Sequence, residues 1–322
     1  KSCARWYAGE IHGYFRPSLI SFIWSLLLYS IQHSGIPNGT HLAVGPPNQQ
    51  GISMKFSTLH LGFLDELSSS ILKSTDPTFI REKLNLILDH YQVINYEFHY
   101  SHAFWRARKC IDENGFGNIS ELGPPPKELT REGRLNEIND PILYTSINQY
   151  STLDEIKAEE GDHIHIVAYE QLTDRPICCG TIGEITHMNR WGSGLTSETV
   201  GNLLNKFMSS MPHEFGKSFV FTDSFLSSIL KDKNAKNTNY IHSRILANLI
   251  FSRNPKLDAI AYSGVALEDS RNYAIKPSSA EHSLQMQASF VLKITKKYKF
   301  GMYDFQIIKN ADGQEYDGRF IW

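Results

Sequence analysis

Apolar residues recur along this chain with two different periods, and the change falls near residue 100. Before it, Ile80, Leu84, Ile87 and Leu88 share one face of a 3.6-residue repeat, and Asp76-Pro77 just ahead supplies an N-cap and a first-turn proline. A helix is predicted there, paired with another over Leu59 to Leu72. After residue 100, short runs rich in aromatic and branched residues alternate with Gly/Pro loops. They predict strands over 103–108, 142–146, 163–169, 218–222, 259–263 and 290–294. Helices are predicted over 152–160, 197–210 and 240–252, the last carrying Ile241, Ile245, Leu246, Leu249 and Ile250 on one stripe. Asp312-Gly313 and Asp317-Gly318 mark the turns of a hairpin-like tail. The fold class is therefore α+β, a mixed β-sheet core with flanking helices behind a small helical N-terminal region.

Breakers at Gly35-Ile36-Pro37-Asn38-Gly39 and across Gly45 to Gly51 make residues 35–53 a loop or linker. Three regions follow: a leader, linker or part of the N-terminal region over 1–53, a helical region over 54–98, and a larger domain over 99–322. The first methionine is Met54. The apolar run Leu19 to Ile31 is too short to span a bilayer comfortably and reads as a buried helix, with a signal-peptide core as the alternative.

Composition narrows the function. With 32 basic against 34 acidic residues and a net charge of -2, no bulk field recruits nucleic acid or an anionic membrane, so any phosphate site must be local. The four cysteines, Cys3, Cys110, Cys178 and Cys179, have no zinc spacing and read as reduced, mostly buried thiols. They favour a cytoplasmic compartment, a secreted effector being the alternative.

Several residues carry candidate chemistry, each with a plainer reading beside it. Arg106 and Arg108 in Phe104-Trp105-Arg106-Ala107-Arg108 lie two apart on a predicted strand, so they share a face and can fork onto phosphate oxygens; a solvated strand face is the plainer reading. Gly133-Arg134-Leu135-Asn136 precedes a strand ending near Leu143-Tyr144. In Thr152-Leu153-Asp154-Glu155, threonine followed three places later by glutamate reads as a capping box at a helix start. Ser263 ends a strand, where capping a turn is the structural alternative. His163 and His165 read as a polar strand face, and no metal is expected. His99 and His102 have helical ligand spacing within an extended-looking segment. No nucleophile elbow, P-loop or dinucleotide fingerprint occurs.

Taken in order, these elements resemble the RES family of NAD-consuming enzymes. The resemblance covers roughly residues 100 to 280: the arginine-bearing strand, the Gly-Arg-x-Asn element ahead of Leu-Tyr, the glutamate after that strand, and Asp258 to Ser263 followed by Arg271-Asn272-Tyr273-Ala274-Ile275. It departs in two places. Glu137-Ile138-Asn139-Asp140 stands where a glycine usually follows, and no proline precedes Ser263. The resemblance implies a fold akin to ADP-ribosyltransferase toxins and a cleft that takes NAD as substrate, with no cofactor. Arg106 and Arg134 would clamp the pyrophosphate, with Arg108 packed behind. Tyr144 would stack on the nicotinamide or its ribose, Glu155 rather than Asp154 would stabilise the cationic sugar, Ser263 would orient the nicotinamide, and Asn136 and Asn272 would complete the binding set. A toxin acting as NAD glycohydrolase or phosphorylase is implied, with a mono-ADP-ribosyltransferase and an inactive nucleotide- or partner-binding module as alternatives. The implied partners are NAD, an antitoxin or immunity protein, and a second copy as homodimer.

Overall fold

A computed structural model describes residues 42–44, 54–56, 59–98, 103–196, 198–264 and 270–322. The apolar run Leu19 to Ile31, Cys3, His99 and His102 lie outside the described residues, as does most of the 35–53 loop. The chain divides into two compact units, one made of residues up to Tyr96 with Thr181–Ile229, the other of Glu97–Gly180 with Leu230–Trp322. Residues 181–229, read above within one domain of 99–322, thus fall in the first unit.

In the first unit, β1 (Leu42–Val44) pairs antiparallel with β2 (Met54–Phe56). Helix α1 (Leu61–Lys73) is followed by α2 (Pro77–Asp89), where Asp76 accepts from the Thr78 amide at 2.9 Å and Ile80, Leu84, Ile87 and Leu88 are buried, as the periodicity predicts. The 181–229 stretch is helical, comprising α4 (Glu184–Trp191), α5 (Glu198–Ser209) and most of α6 (His213–Lys231). The strand predicted at Ser218 to Thr222 is instead the interior of α6. Phe215, Ser218, Thr222, Phe225, Leu226 and Ile229 are among its buried positions and form a helical stripe that a five-residue window cannot reveal. Asp223 is fully buried on α6. Its carboxylate accepts from the Tyr91 hydroxyl (2.7 Å), the Gly183 amide (2.9 Å), and both the amide (2.7 Å) and hydroxyl (2.8 Å) of Thr186, so its charge is satisfied without a cation.

Strand β3 (Ile94–Phe98) carries the chain from the first unit into the second. There β4 (Phe104–Cys110), β5 (Leu143–Ser146), β6 (His163–Gln171), β7 (Ile177–Thr181), β8 (Ala259–Ser263), β9 (Arg271–Ile275), β10 (Leu284–Lys297) and β11 (Tyr303–Asn310) lie in one sheet in the order β11-β10-β6-β4-β5-β9-β8-β7. The sheet is mostly antiparallel, and with eight α-helices among the described residues the protein is mixed α+β. The strand predicted at 290–294 is the middle of the longer β10, and β12 (Gly313–Gln314) pairs with β13 (Phe320–Ile321) to make the expected tail hairpin. Helix α7 (Ile241–Arg253) precedes β8, and α8 (Pro277–Ser283) follows β9.

The helix expected over 152–160 is α3 (Gln149–Glu155), capped by Asn148, whose side chain accepts from the Tyr150 amide at 2.8 Å. The capping box at Thr152 and Glu155 is therefore not formed. Asn148 already satisfies the first-turn donors, and the Thr152 hydroxyl, inside the helix, donates to the Gln149 carbonyl at 2.6 Å. Leu153 is fully buried and docks α3 on the sheet among Ala107, Ala158, Ile164, Ile166, Leu292 and Ile294. No helix among the described residues is long and apolar enough to cross a membrane.

His165, fully buried on β6, is fixed as a neutral core histidine. Its Nδ1 accepts from the Phe116 amide at 3.0 Å, its Nε2 meets Ser289 Oγ at 2.8 Å, and the rings of Phe116, Phe320 and Trp322 surround it. Gly115 makes room for this contact. Its φ is +68°, and a Cβ there would meet Val291 at 2.6 Å and the His165 ring at 3.0 Å. Burial holds the imidazole at about 4, below its ordinary 6.5. The folded form thus binds fewer protons than the unfolded chain between those values, so this stabilisation is complete above the unfolded pKa and is lost as pH falls toward 4. The urea midpoint is expected to drop over that window, and His165→Gln to flatten the dependence; an unchanged pH profile in the variant would refute the assignment.

Candidate functional site

Side chains alternate between the two faces of a strand, so register decides which candidates meet. Trp105 lies opposite Ser146, Ser146 opposite Asn272, and Asn272 opposite Tyr262. Tyr144, two residues from Ser146, shares that face, which α3 covers. Arg106 and Arg108 leave β4 on the other face, as do Thr145 and Ser263, since Ser263 pairs with Arg271. The structure therefore gathers Tyr144, Glu155 and Asn272 on one side of the sheet and directs Arg106, Arg108 and Ser263 to the other.

Glu155 is the last residue of α3, and its Oε1 accepts from Asn272 Nδ2 at 2.9 Å across 117 positions of sequence. The neighbouring Asp154 accepts a short hydrogen bond from the Tyr303 hydroxyl on β11. The two adjacent carboxylates are thereby separated in role, Asp154 tied to the core of the unit and Glu155 turned to the residues around Asn272. Tyr262 stands in the same group, with burial first and then the Glu155 charge pushing its phenol well above the usual tyrosine value, so it is a neutral hydroxyl. Sequence reasoning passed over Tyr262; the signal available was its place beside Ser263, one residue off the expected site face.

The Gly-Arg-x-Asn element folds back onto Tyr144. The Tyr144 hydroxyl donates to Asn136 Oδ1 (2.9 Å) and accepts from the Leu135 amide (2.8 Å), while Asn136 Nδ2 donates to the carbonyls of Arg131 (2.8 Å) and Glu137 (2.9 Å). A Cβ on Gly133 would meet Asn136 Oδ1 at 2.3 Å and the Tyr144 hydroxyl at 3.1 Å, which accounts for glycine there. Asn136 thus holds the loop, and the ring of Tyr144 is what it presents to the site. Where the family pattern has a glycine, Glu137 pairs with Arg244 of α7, and Asn139 takes a left-handed φ of 59°.

Arg134 Nη1 donates to the carbonyls of Leu230 (2.8 Å) and Asp232 (2.9 Å), and its guanidinium lies 5.4 Å from the Tyr240 ring centroid. Tyr240 and Asn239, both at positive φ, form the turn that presents this ring. Arg134 still bears on the site, since its charge opposes the burial that raises Tyr144 and Tyr262. Arg108 is engaged elsewhere. It donates a short hydrogen bond to the Glu121 carbonyl and lies over the Phe116 ring at 5.0 Å.

Arg106 occupies an opening in the sheet. Strand β5 pairs with β9 at every residue but with β4 only at Trp105↔Ser146, and Arg106 Nη1 reaches the Tyr144 carbonyl at 3.5 Å. Its Nε is sealed from solvent without an acceptor, and burial lowers the guanidinium to about 10. No group of three His, Cys, Asp or Glu side chains among the described residues is arranged to hold a metal.

Tyr144→Phe is expected to leave the Leu135 amide and Asn136 Oδ1 without their buried partner and to cost about 1–3 kcal/mol in urea unfolding; a variant as stable as the parent would show that the loop does not depend on the hydroxyl. No protein-family model, no curated protein and no solved structure matches this chain.

Proposed function

We propose that the chain cleaves the bond between nicotinamide and ribose in NAD. The observation that carries this reading is the Glu155–Asn272 hydrogen bond, which joins two separate elements of the RES-like pattern on the sheet face that also bears Tyr144 and Tyr262. A sheet opened between β4 and β5 supports the finer reading of an ADP-ribosyltransferase-like fold.

In this mechanism the Tyr144 ring packs on the nicotinamide or its ribose, and the positive charge of Arg134 draws the pyrophosphate toward the site. Arg106 joins the clamp by facing a ligand that crosses the opening between β4 and β5. Glu155 accepts the ribose 2′-hydroxyl. As the C1′–N bond breaks, its electron pair leaves with neutral nicotinamide, and the carboxylate stabilises the cationic sugar. Water then gives ADP-ribose and a proton, or inorganic phosphate gives the 1-phosphate ester. In a cell this is the chemistry of a toxin that depletes NAD.

The full chain incubated with NAD, with and without phosphate, is expected to release nicotinamide, and mass spectrometry of the ribosyl product identifies the acceptor. Glu155→Gln should lower release by roughly 10²-fold or more, because the charge opposite the developing cation is removed. Equal turnover by the variant, or an inert parent chain, would overturn the reading.

A further inference from the structure

Asn272 is only 4% exposed, and its side chain is half satisfied. Because Glu155 is a carboxylate, only the NH2 end of the Asn272 amide can donate to it, so the 2.9 Å contact fixes which way the amide points. The Oδ1 end then faces away from Glu155, sealed from solvent and without a hydrogen-bond donor among the described residues. Buried acceptors of this kind are uncommon in folded proteins and call for a partner. Another such atom lies one helical turn before Glu155, where Ser151 is fully buried on α3 and its Oγ has no partner. The phenol opposite Asn272, that of Tyr262, is a neutral group on the same face and accepts from the NH2 end of the same amide, so the Oδ1 end is the part left over.

We infer that Asn272 determines specificity for the sugar: its Oδ1 accepts a hydrogen bond from the hydroxyl next to the one taken by Glu155, so that carboxylate and carboxamide together read the vicinal diol of a ribosyl group. This rests on the reading proposed above and extends it from the bond cleaved to the class of sugar admitted. The chemistry is complementary. A vicinal diol offers two adjacent donors, and Glu155 with Asn272 offers two adjacent acceptors already locked to each other. A sugar lacking the second hydroxyl leaves Oδ1 buried and unpaired, which is how a polar site rejects an analogue most strongly.

The test compares nicotinamide release from NAD and from its analogue lacking the 3-hydroxyl of the nicotinamide ribose. The parent chain is expected to favour NAD in kcat/KM by on the order of a hundredfold. Asn272→Ala should reduce turnover of NAD and bring the preference close to unity. Asn272→Asp, nearly isosteric, keeps an acceptor but loses the donor to Glu155; it is expected to turn over more slowly while still preferring NAD, and it serves where the alanine variant does not fold. An active parent whose preference survives Asn272→Ala, or a folded Asn272→Asp without preference, overturns this inference alone. A parent that releases no nicotinamide overturns the proposed reaction and the inference with it.

Discussion

Two adjacent carboxylates at the C-terminal end of a short helix set the constraint on which the candidate site depends. The partial negative charge at a helix C-terminus makes Asp154 and Glu155 unfavourable where they stand, and docking α3 through the buried Leu153 sets them beside the sheet, Asp154 half-buried and Glu155 exposed. Each is satisfied by a neutral donor from a distant strand, Tyr303 for Asp154 and Asn272 for Glu155.

The sheet imposes the second constraint. Because alternate residues point to opposite faces, the pairing of Trp105 with Ser146 and of Ser146 with Asn272 assigns every neighbouring candidate to a side. Tyr144 and Asn272 fall with Glu155, whereas Arg106, Arg108 and Ser263 fall opposite. The brief contact of β4 with β5 is where the two sides communicate. There Arg106 reaches a Tyr144 carbonyl that a full ladder would have used, and a guanidinium with a sealed Nε is held in the gap.

Polar residues elsewhere show the same economy. Asp223 in the first unit is stabilised by four neutral donors, and His165 in the second is kept neutral by an amide and a hydroxyl. Those two are fully satisfied, so they hold structure together. Asn272 differs from these two in keeping one side-chain atom unpaired.

Local patterns in the sequence determined what local physics controls: the α2 face of Ile80, Leu84, Ile87 and Leu88 with its Asp76 cap, the strands carrying Arg106, Tyr144 and Tyr262, and the tail hairpin. They misled where two local signals compete. Ser218 to Thr222 is rich enough in aromatic and branched residues to pass for a strand until the whole 19-residue stripe of α6 is counted, and the threonine-to-glutamate spacing at 152–155 imitates a cap that Asn148 had already supplied. Tertiary structure alone decided which candidates meet. Asn272 reaches Glu155, and Arg106 turns from Tyr144, through strand register, a property of pairings between segments distant in sequence that no local window contains.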